Sequence, residues 1–123
     1  MTTKADTLRE RTRRFAVDIL RFVRCLPNDP PSSVVGRQLA KAGTSMSANY
    51  RAAGRARSRA EFIAKLGVVV EEADETEHWL QIVHEAGLSA RDAKRITLTA
   101  ESAELRAIFC AALQTARRNY KAR

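Results

Sequence analysis

GRQLAKAGTSMSANYRAAGRARSRAEFIAKL, residues 36–66, holds the end of one helix, a turn rich in arginine and the start of the next helix. Before the turn, apolar or small residues recur every three or four positions, a spacing that places them on one face of a helix. They are Leu39, Ala42, Met46, Asn49 and Ala53. After the turn, Ser58 and Glu61 have the spacing of a capping box, so a new helix should begin there. The stretch therefore predicts a helical hairpin with arginines at its tip.

Small residues form a second stripe beside this face, at Gly36, Ala40, Gly43 and Ser47. A glycine inside a helix costs about 0.5–1 kcal/mol relative to alanine. Two glycines on one face therefore indicate that another helix backbone approaches closely. The stripe fits either tight packing within one bundle or a contact between subunits.

Upstream, a first helix is predicted over about residues 6–25, because apolar residues recur there at helical spacings. Thr7 and Glu10 have the spacing of a capping box. Three prolines within residues 27–31 then prevent this helix from continuing. A serine after the last proline should cap the second helix, over about residues 33–53.

Downstream, a third helix is predicted over about residues 58–86, and a fourth begins after Ser89. Thr97 and Thr99 are poor helix formers and indicate a kink or break in the fourth helix. The basic tail, residues 117–123, is expected to fray.

Four amphipathic helices with short connections predict an all-α protein, an antiparallel up-down-up-down four-helix bundle in a single domain, residues 1–123. No apolar run approaches the roughly 20 residues that span a membrane. The N-terminus lacks the apolar core of a secretion signal, so a cytoplasmic protein is expected. Cys25 and Cys110 are expected to be buried, reduced thiols.

The charge is strongly positive and unevenly spread. The chain holds 22 Lys and Arg against 14 Asp and Glu, a net charge of +8. Residues 36–70 carry seven basic and one acidic side chain, whereas residues 71–92 carry one basic and seven acidic. Such a balance favours polyanionic partners, nucleic acid first and an acidic membrane or protein second.

No constellation indicates catalysis, so an enzyme is not expected and no catalytic residue, metal ligand or cofactor is predicted. The two histidines, His78 and His84, have no nucleophile at a recognisable motif spacing. Glu75 and His78 have the Glu-x-x-His spacing of di-iron bundles, but such sites need a second pair, which the sequence lacks.

The acids between Glu71 and Glu77 form either a solvated face or a patch that pairs with arginines of a neighbouring helix or subunit. Trp79 is expected to be partly buried at a helix contact. Asn49, on an apolar stripe, is expected to be a buried, hydrogen-bonded group.

The arginine turn is the candidate binding site. Its members are Arg51, Arg55, Arg57 and Arg59, with Arg37 and Lys41 as outlying contributors. No acid occurs between Lys41 and Glu61, so these guanidinium groups are free to bind phosphates. The alternative is a helix end that only improves solubility. Tyr50 is the one aromatic nearby, so backbone or shape recognition is favoured over base stacking.

These residues resemble a known family, the four-helix-bundle proteins encoded in intervening sequences of bacterial 23S ribosomal RNA genes. The resemblance runs through QLAKAGTSMSANYRAAGRARSRAEFIAKLGVVVEEADETEHWL. The family pattern is matched by Gln38, Leu39, Ser45 or Ser47, Asn49, Arg55, Arg57, Ser58, Glu61 and Phe62. Many members have Glu-Gly where this chain has Ala52-Ala53, so it resembles the branch lacking those residues.

The resemblance implies a ring-shaped assembly, typically a homopentamer, that binds nucleic acid through a basic surface. Related proteins accompany the reverse transcriptases of diversity-generating retroelements. The leading hypothesis is thus a non-enzymatic, cytoplasmic homo-oligomer that binds the RNA or DNA backbone. The rival is an oligomeric scaffold whose partner is another protein, bound through the small-residue face of the second helix and the acidic third helix.

Overall fold

The structure, a computed structural model, describes residues 1–121 and consists of four helices joined by short connections. The helices are α1 (Lys4–Arg24), α2 (Pro30–Ala53), α3 (Arg59–Glu85) and α4 (Asp92–Lys121). Residues 1–121 contain no strand, and the all-α prediction is confirmed. None of these helices is both long and apolar enough to cross a membrane.

Helix α1 begins earlier than the sequence predicted, because an upstream threonine caps it. The Thr3 hydroxyl accepts a hydrogen bond from the Asp6 N–H at 3.0 Å, and the Asp6 carboxylate accepts one from the Thr3 N–H at 3.1 Å. This is a complete capping box. The predicted box at Thr7 and Glu10 was wrong: the Glu10 carboxylate instead pairs with Arg13 at 2.6 Å.

Helix α2 begins at Pro30, three residues before the predicted start. Asp29 is the cap, and its carboxylate accepts a hydrogen bond from the Ser32 N–H at 2.9 Å. The first positions of a helix need no N–H donor, so Pro30 and Pro31 fit in the first turn. The prolines therefore start α2 as well as ending α1.

Helix α4 is continuous from Asp92 to Lys121, so the predicted break is absent. The hydroxyls of Thr97 and Thr99 donate to the carbonyls of Ala93 and Arg95, at 3.0 and 2.8 Å, within an unbroken helix. The tail was predicted to fray from residue 117, but the helix extends to Lys121. Residues 122 and 123 lie outside the described part.

All four helices contribute to one core, and each helix packs against the next one along the chain, with α4 closing against α1. A β-carbon added at Gly43 would lie 3.0 Å from Ile19, and one at Gly36 would lie 3.1 Å from Val23. Later residues of α2 thus face earlier residues of α1, which makes these two helices antiparallel. The connections of five and six residues turn each later helix back in the same way.

The two glycines therefore serve packing inside the bundle, whereas Ala40 and Ser47 of the same stripe are only half-buried, so the alternative of a contact between subunits stays open. Asn49 is half-buried, and its amide donates to the carbonyl and hydroxyl of Ser45 at 2.9 and 3.0 Å. Trp79 is half-buried against the core, as predicted. The prediction of two buried thiols was wrong, because Cys25 is exposed at the end of α1 and Cys110 is half-buried.

Candidate nucleic-acid interface

The arginine turn begins where α2 ends, at Gly54. Helix α2 stops at Ala53, and the N–H groups of Arg55 and Ala56 donate to the carbonyls of Ala52 and Ala53 at 3.0 and 3.1 Å. Gly54 keeps a right-handed helical conformation, so its φ does not require glycine. A β-carbon there would lie 3.1 Å from a guanidinium nitrogen of Arg9, so the missing side chain leaves room for Arg9.

The turn ends in the N-terminal cap of α3, and this cap uses the carboxylate of Glu61. The Ser58 hydroxyl accepts a hydrogen bond from the Glu61 N–H at 3.0 Å. The Glu61 carboxylate accepts one from the backbone N–H of Arg57 at 2.8 Å. The predicted box is therefore only half formed, since its second bond reaches Arg57 instead of Ser58. Glu61 caps a helix, and its oxygen is bonded to backbone instead of to a guanidinium.

The four arginines of the turn, Arg51, Arg55, Arg57 and Arg59, are all exposed. None of them lies within 4.0 Å of a carboxylate in residues 1–121. They are two or four positions apart in the sequence, so their charges repel one another and attract an external anion. The arrangement suits planar, bidentate contacts to phosphate oxygens.

Arg37 and Lys41 do not join this turn. Both are exposed on α2, but a rise of 1.5 Å per residue places them roughly 20 and 15 Å along the helix from Arg51. Lys41 instead lies beside α3, near Glu72. Burial and the charge of Glu75 raise the pKa of Glu72, and the charge of Lys41 partly opposes that rise.

A second basic element, the tail that was expected to fray, lies at the same end of the bundle. Helix α4 has 30 residues and α3 has 27, and they run back along each other from a six-residue connection. The last turns of α4 therefore reach the level of Arg59. They carry Arg117, Arg118 and Lys121, all exposed. A comparison of the lengths of α3 and α4, both measured from their connection, would have predicted this position. It was not predicted because the tail was expected to fray.

Other charged groups are used to join helices. Arg11 of α1 contacts Glu101 and Glu104 of α4 at 2.6 and 3.0 Å, and the hydrogen bond to Glu101 is the main cause that raises the pKa of Arg11. Arg106 of α4 pairs with Glu77 of α3 at 2.7 Å. These ion pairs are structural, because each partner lies on a different helix.

The predicted half-motif for a metal remains isolated in the described structure. Glu75 and His78 are both exposed on α3. Within residues 1–121, no group of three or more His, Cys, Asp or Glu side chains is placed to hold a metal ion. Three of the acids beside this motif, Glu71, Asp74 and Glu75, form no ion pair in that part of the chain.

The fold defines a class, small all-α proteins built from four packed helices. The family model described as 23S rRNA-intervening sequence protein matches residues 7–110, so the chain belongs to that family. It is also similar to the 1.70 Å crystal structure of a protein with unknown function from the S23 ribosomal protein family of Bacteroides thetaiotaomicron. The two share 30% sequence identity at a TM-score of 0.82, over 91% of this chain and 99% of that one. No curated protein matches the sequence.

Proposed function

We propose that this protein binds the phosphate backbone of RNA or DNA through the basic end of the bundle, as a cytoplasmic, non-enzymatic homo-oligomer, typically a pentamer. The observation that carries the proposal is the turn of four exposed arginines, none of which lies within 4.0 Å of a carboxylate in residues 1–121, while Glu61 is bonded to backbone. Arginines that lack an internal partner remain available to an external anion. The family to which the chain belongs is named for ribosomal RNA, which adds support.

The basic end of α4 enlarges this surface. Arg117, Arg118 and Lys121 project from the last turns of that helix, at the level of the turn. A chain of phosphates could therefore contact two neighbouring helix ends at once. Because few aromatic side chains are present at this end, the contacts should follow the backbone and carry little sequence preference.

The test is filter binding of labelled RNA or DNA against a salt series. Each phosphate contact should contribute about −0.7 to −0.9 to the slope of log affinity against log salt. Replacing Arg51, Arg55, Arg57 and Arg59 by alanine should weaken binding ~100-fold or more at low salt and reduce the slope by about 3. The helical circular dichroism should be unchanged, since none of the four side chains makes an ion pair within residues 1–121.

A matched control removes four other basic side chains that lie outside the turn and the α1–α2 seam, Arg14, Arg21, Arg91 and Lys94. It lowers the net charge equally but leaves the turn intact, so most of the affinity and of the salt slope should remain. Equal losses in both variants would show that only net charge matters. Absence of binding by the wild-type protein at low salt would refute the proposal.

A protein partner is the second candidate. The observation that favours it is the exposed acidic face of α3, with Glu71, Asp74 and Glu75, which form no ion pair within residues 1–121. The small-residue stripe of α2 contributes less than expected, because Gly36 and Gly43 are buried against α1. Loss of nucleic-acid binding with an intact oligomer in the turn variant would favour the first function; unchanged binding would favour the second.

A further inference from the structure

Two cavities lie along the outer seam between α1 and α2, and the one nearer the arginine turn has an apolar floor; together they are called the groove. Its half nearer the arginine turn encloses about 590 Å³ and includes Val17, Leu20 and Ala48. The half farther from the turn encloses about 510 Å³ and runs between Val23 and Gly36. Val17 and Leu20 remain 38% and 45% exposed, which is unusual for large aliphatic side chains that lie next to each other.

The two halves differ in charge. Two arginines of the near half are neutralised within α1, in the pairs Arg9–Asp6 and Arg13–Glu10, both at 2.6 Å. Arg51 stands at the mouth of this half, beside the turn. The far half includes Arg24 and Arg37, and no acid lines it. Neither forms an ion pair within residues 1–121, so the far half is the strongly positive one.

The outer face of α3 shows the complementary order. Its first turns are small: Ala60 and Ala64 are exposed, and a β-carbon on Gly67 would have nothing within 4 Å. The next turns of the same face are acidic, with Glu71, Asp74 and Glu75 exposed and unpaired in the described chain. The small side chains of the first half of α3 match the apolar near half of the groove. The acids of the second half of α3 match the positive far half of the groove.

We propose that this groove binds α3 of a second copy of the chain. The Gly67 region of one copy packs on Val17 and Leu20 of the next, and the acids that follow it face Arg24 and Arg37. The inference rests on the homo-oligomeric part of the proposed function and specifies its contact. Because groove and helix are different surfaces, each copy offers both, and repeated contacts of this kind form a ring when the rotation between neighbouring copies closes.

The heights of the two surfaces along the bundle agree with such a ring. Gly43 of α2 faces Ile19 of α1, and Lys41 lies close enough to Glu72 of α3 to affect it. The helices α1 and α3 run in the same direction, so Leu20 lies within about one turn of the height of Gly67. A second copy placed beside the first, with no shift along the bundle axis, therefore brings the Gly67 region of its α3 to Val17 and Leu20 of the first copy. All arginine turns then lie at one end of the assembly.

Nucleic acid fits this groove less well than a helix does. A phosphate backbone gains nothing from an apolar floor, and Asp6 and Glu10 on the near rim would repel it. The small side chains of the α3 face, by contrast, allow its backbone to approach Leu20 closely. Binding of a polyanion here is therefore an outcome that the test must distinguish.

The test is charge reversal, with the mass of the assembly measured by native mass spectrometry and sedimentation. The groove variant is Arg24→Glu with Arg37→Glu, and the helix variant is Glu71→Arg with Glu75→Arg. Each should weaken assembly at least ~10-fold, because like charges then face each other across the contact. All four changes in one chain restore opposite charges and should restore the wild-type mass.

A matched control reverses two exposed arginines outside the groove, Arg14→Glu with Arg91→Glu, and should assemble like the wild type. Leu20→Ser tests the apolar floor without altering charge and should also weaken assembly. Helical circular dichroism identifies any variant that does not fold. The fourfold variant and Leu20→Ser, when folded, then decide whether the groove binds α3 of a second copy.

The proposal is overturned if the wild-type chain stays monomeric at roughly 100 μM, where even an interface of micromolar affinity would form. It is equally overturned if the groove variant and the helix variant both assemble like the wild type. It is also overturned if the fourfold variant folds but does not assemble. A monomer that still binds RNA would remove this contact and leave the phosphate site. An oligomer of normal mass that binds no nucleic acid would remove the phosphate site and leave this contact.

Discussion

Two groups of arginines in this molecule have opposite surroundings. Arg11 lies between α1 and α4, about one-third exposed, with carboxylates of Glu101 and Glu104 at 2.6 and 3.0 Å. The turn arginines are exposed and form no ion pair within residues 1–121, and Glu61, the next acid along the chain, is bonded to backbone. The same side chain therefore joins helices in one region and is available to solvent in the other. The role of an arginine therefore depends on whether a carboxylate of the protein pairs with it, and the net charge alone does not reveal this.

Adding an acid to the turn should give its arginines an internal partner, as Arg11 has. Among single substitutions, this change should have the largest effect on nucleic-acid affinity. Ala60→Glu places a carboxylate in the exposed first turn of α3, beside Arg59 and one turn from Arg57. Nucleic-acid affinity should fall ~10-fold at low salt, since one phosphate contact is replaced by an internal one. Stability should not fall, because acids are favourable at a helix N-terminus. Ala60→Gln is the control for filter binding and should bind like the wild type.

Removing the paired arginine should affect stability and leave binding alone. Arg11→Ala leaves Glu101 and Glu104, one turn apart, to repel each other on α4. Because the pair is partly solvated, the expected loss is about 1 kcal/mol, well below the cost of breaking a fully buried pair. Thermal unfolding should show a decrease in Tm of about 3–5 °C. A weaker affinity for nucleic acid in this variant would contradict the separation of roles.

The cap beneath the turn offers a smaller, structural test. Ser58→Ala removes the acceptor for the Glu61 N–H and should cost about 0.5–1 kcal/mol of stability. Affinity should change less than twofold, because the guanidinium groups remain. Ser58→Asp restores a cap acceptor and should recover the stability. Urea unfolding measures both variants, and no loss in Ser58→Ala would mean that the cap contributes little.

The smallest effect is expected at Glu72, where lysine and acid neighbours oppose each other. Burial raises the pKa of this carboxyl in the folded chain, so folding holds its proton more tightly than the unfolded chain does. Its ionisation therefore destabilises the fold as pH rises above 4.5, its ordinary pKa. Glu72→Gln should raise Tm at pH 7 by only about 1–2 °C, since the site is largely solvated. The gain should vanish at acid pH; a gain that persists there would point to another cause.

Helix number, type and approximate bounds could be predicted because apolar spacing and glycine or proline breaks are local signals. The starts of α1 and α2 were misplaced for a specific reason: several residues could cap each helix, and sequence does not rank them. Thr3 rather than Thr7 caps α1, and Asp29 rather than a serine caps α2. The threonines at 97 and 99 satisfy their hydroxyls within α4, so the packing of that helix overrides their low propensity.

The candidate site could be predicted only in part, because it depends on which distant residues meet. The absence of acids around the turn is visible in the sequence, and so are its four arginines. That α4 brings Arg117 and Arg118 to the same end follows from helix lengths, which were not fixed closely enough beforehand. That Lys41 faces Glu72 follows from the pairing of α2 with α3, and no local pattern encodes it.

The hydrogen bonding of the turn has a consequence for how fast a ligand can be captured. The backbone N–H groups of Arg55, Ala56 and Arg57 are already bonded within the protein, so no loop has to fold on contact. The entropy lost on association then comes from mobile side chains and from the ligand itself. Capture should accordingly proceed at a rate set by diffusion and long-range attraction, and release should speed up as counterions compete.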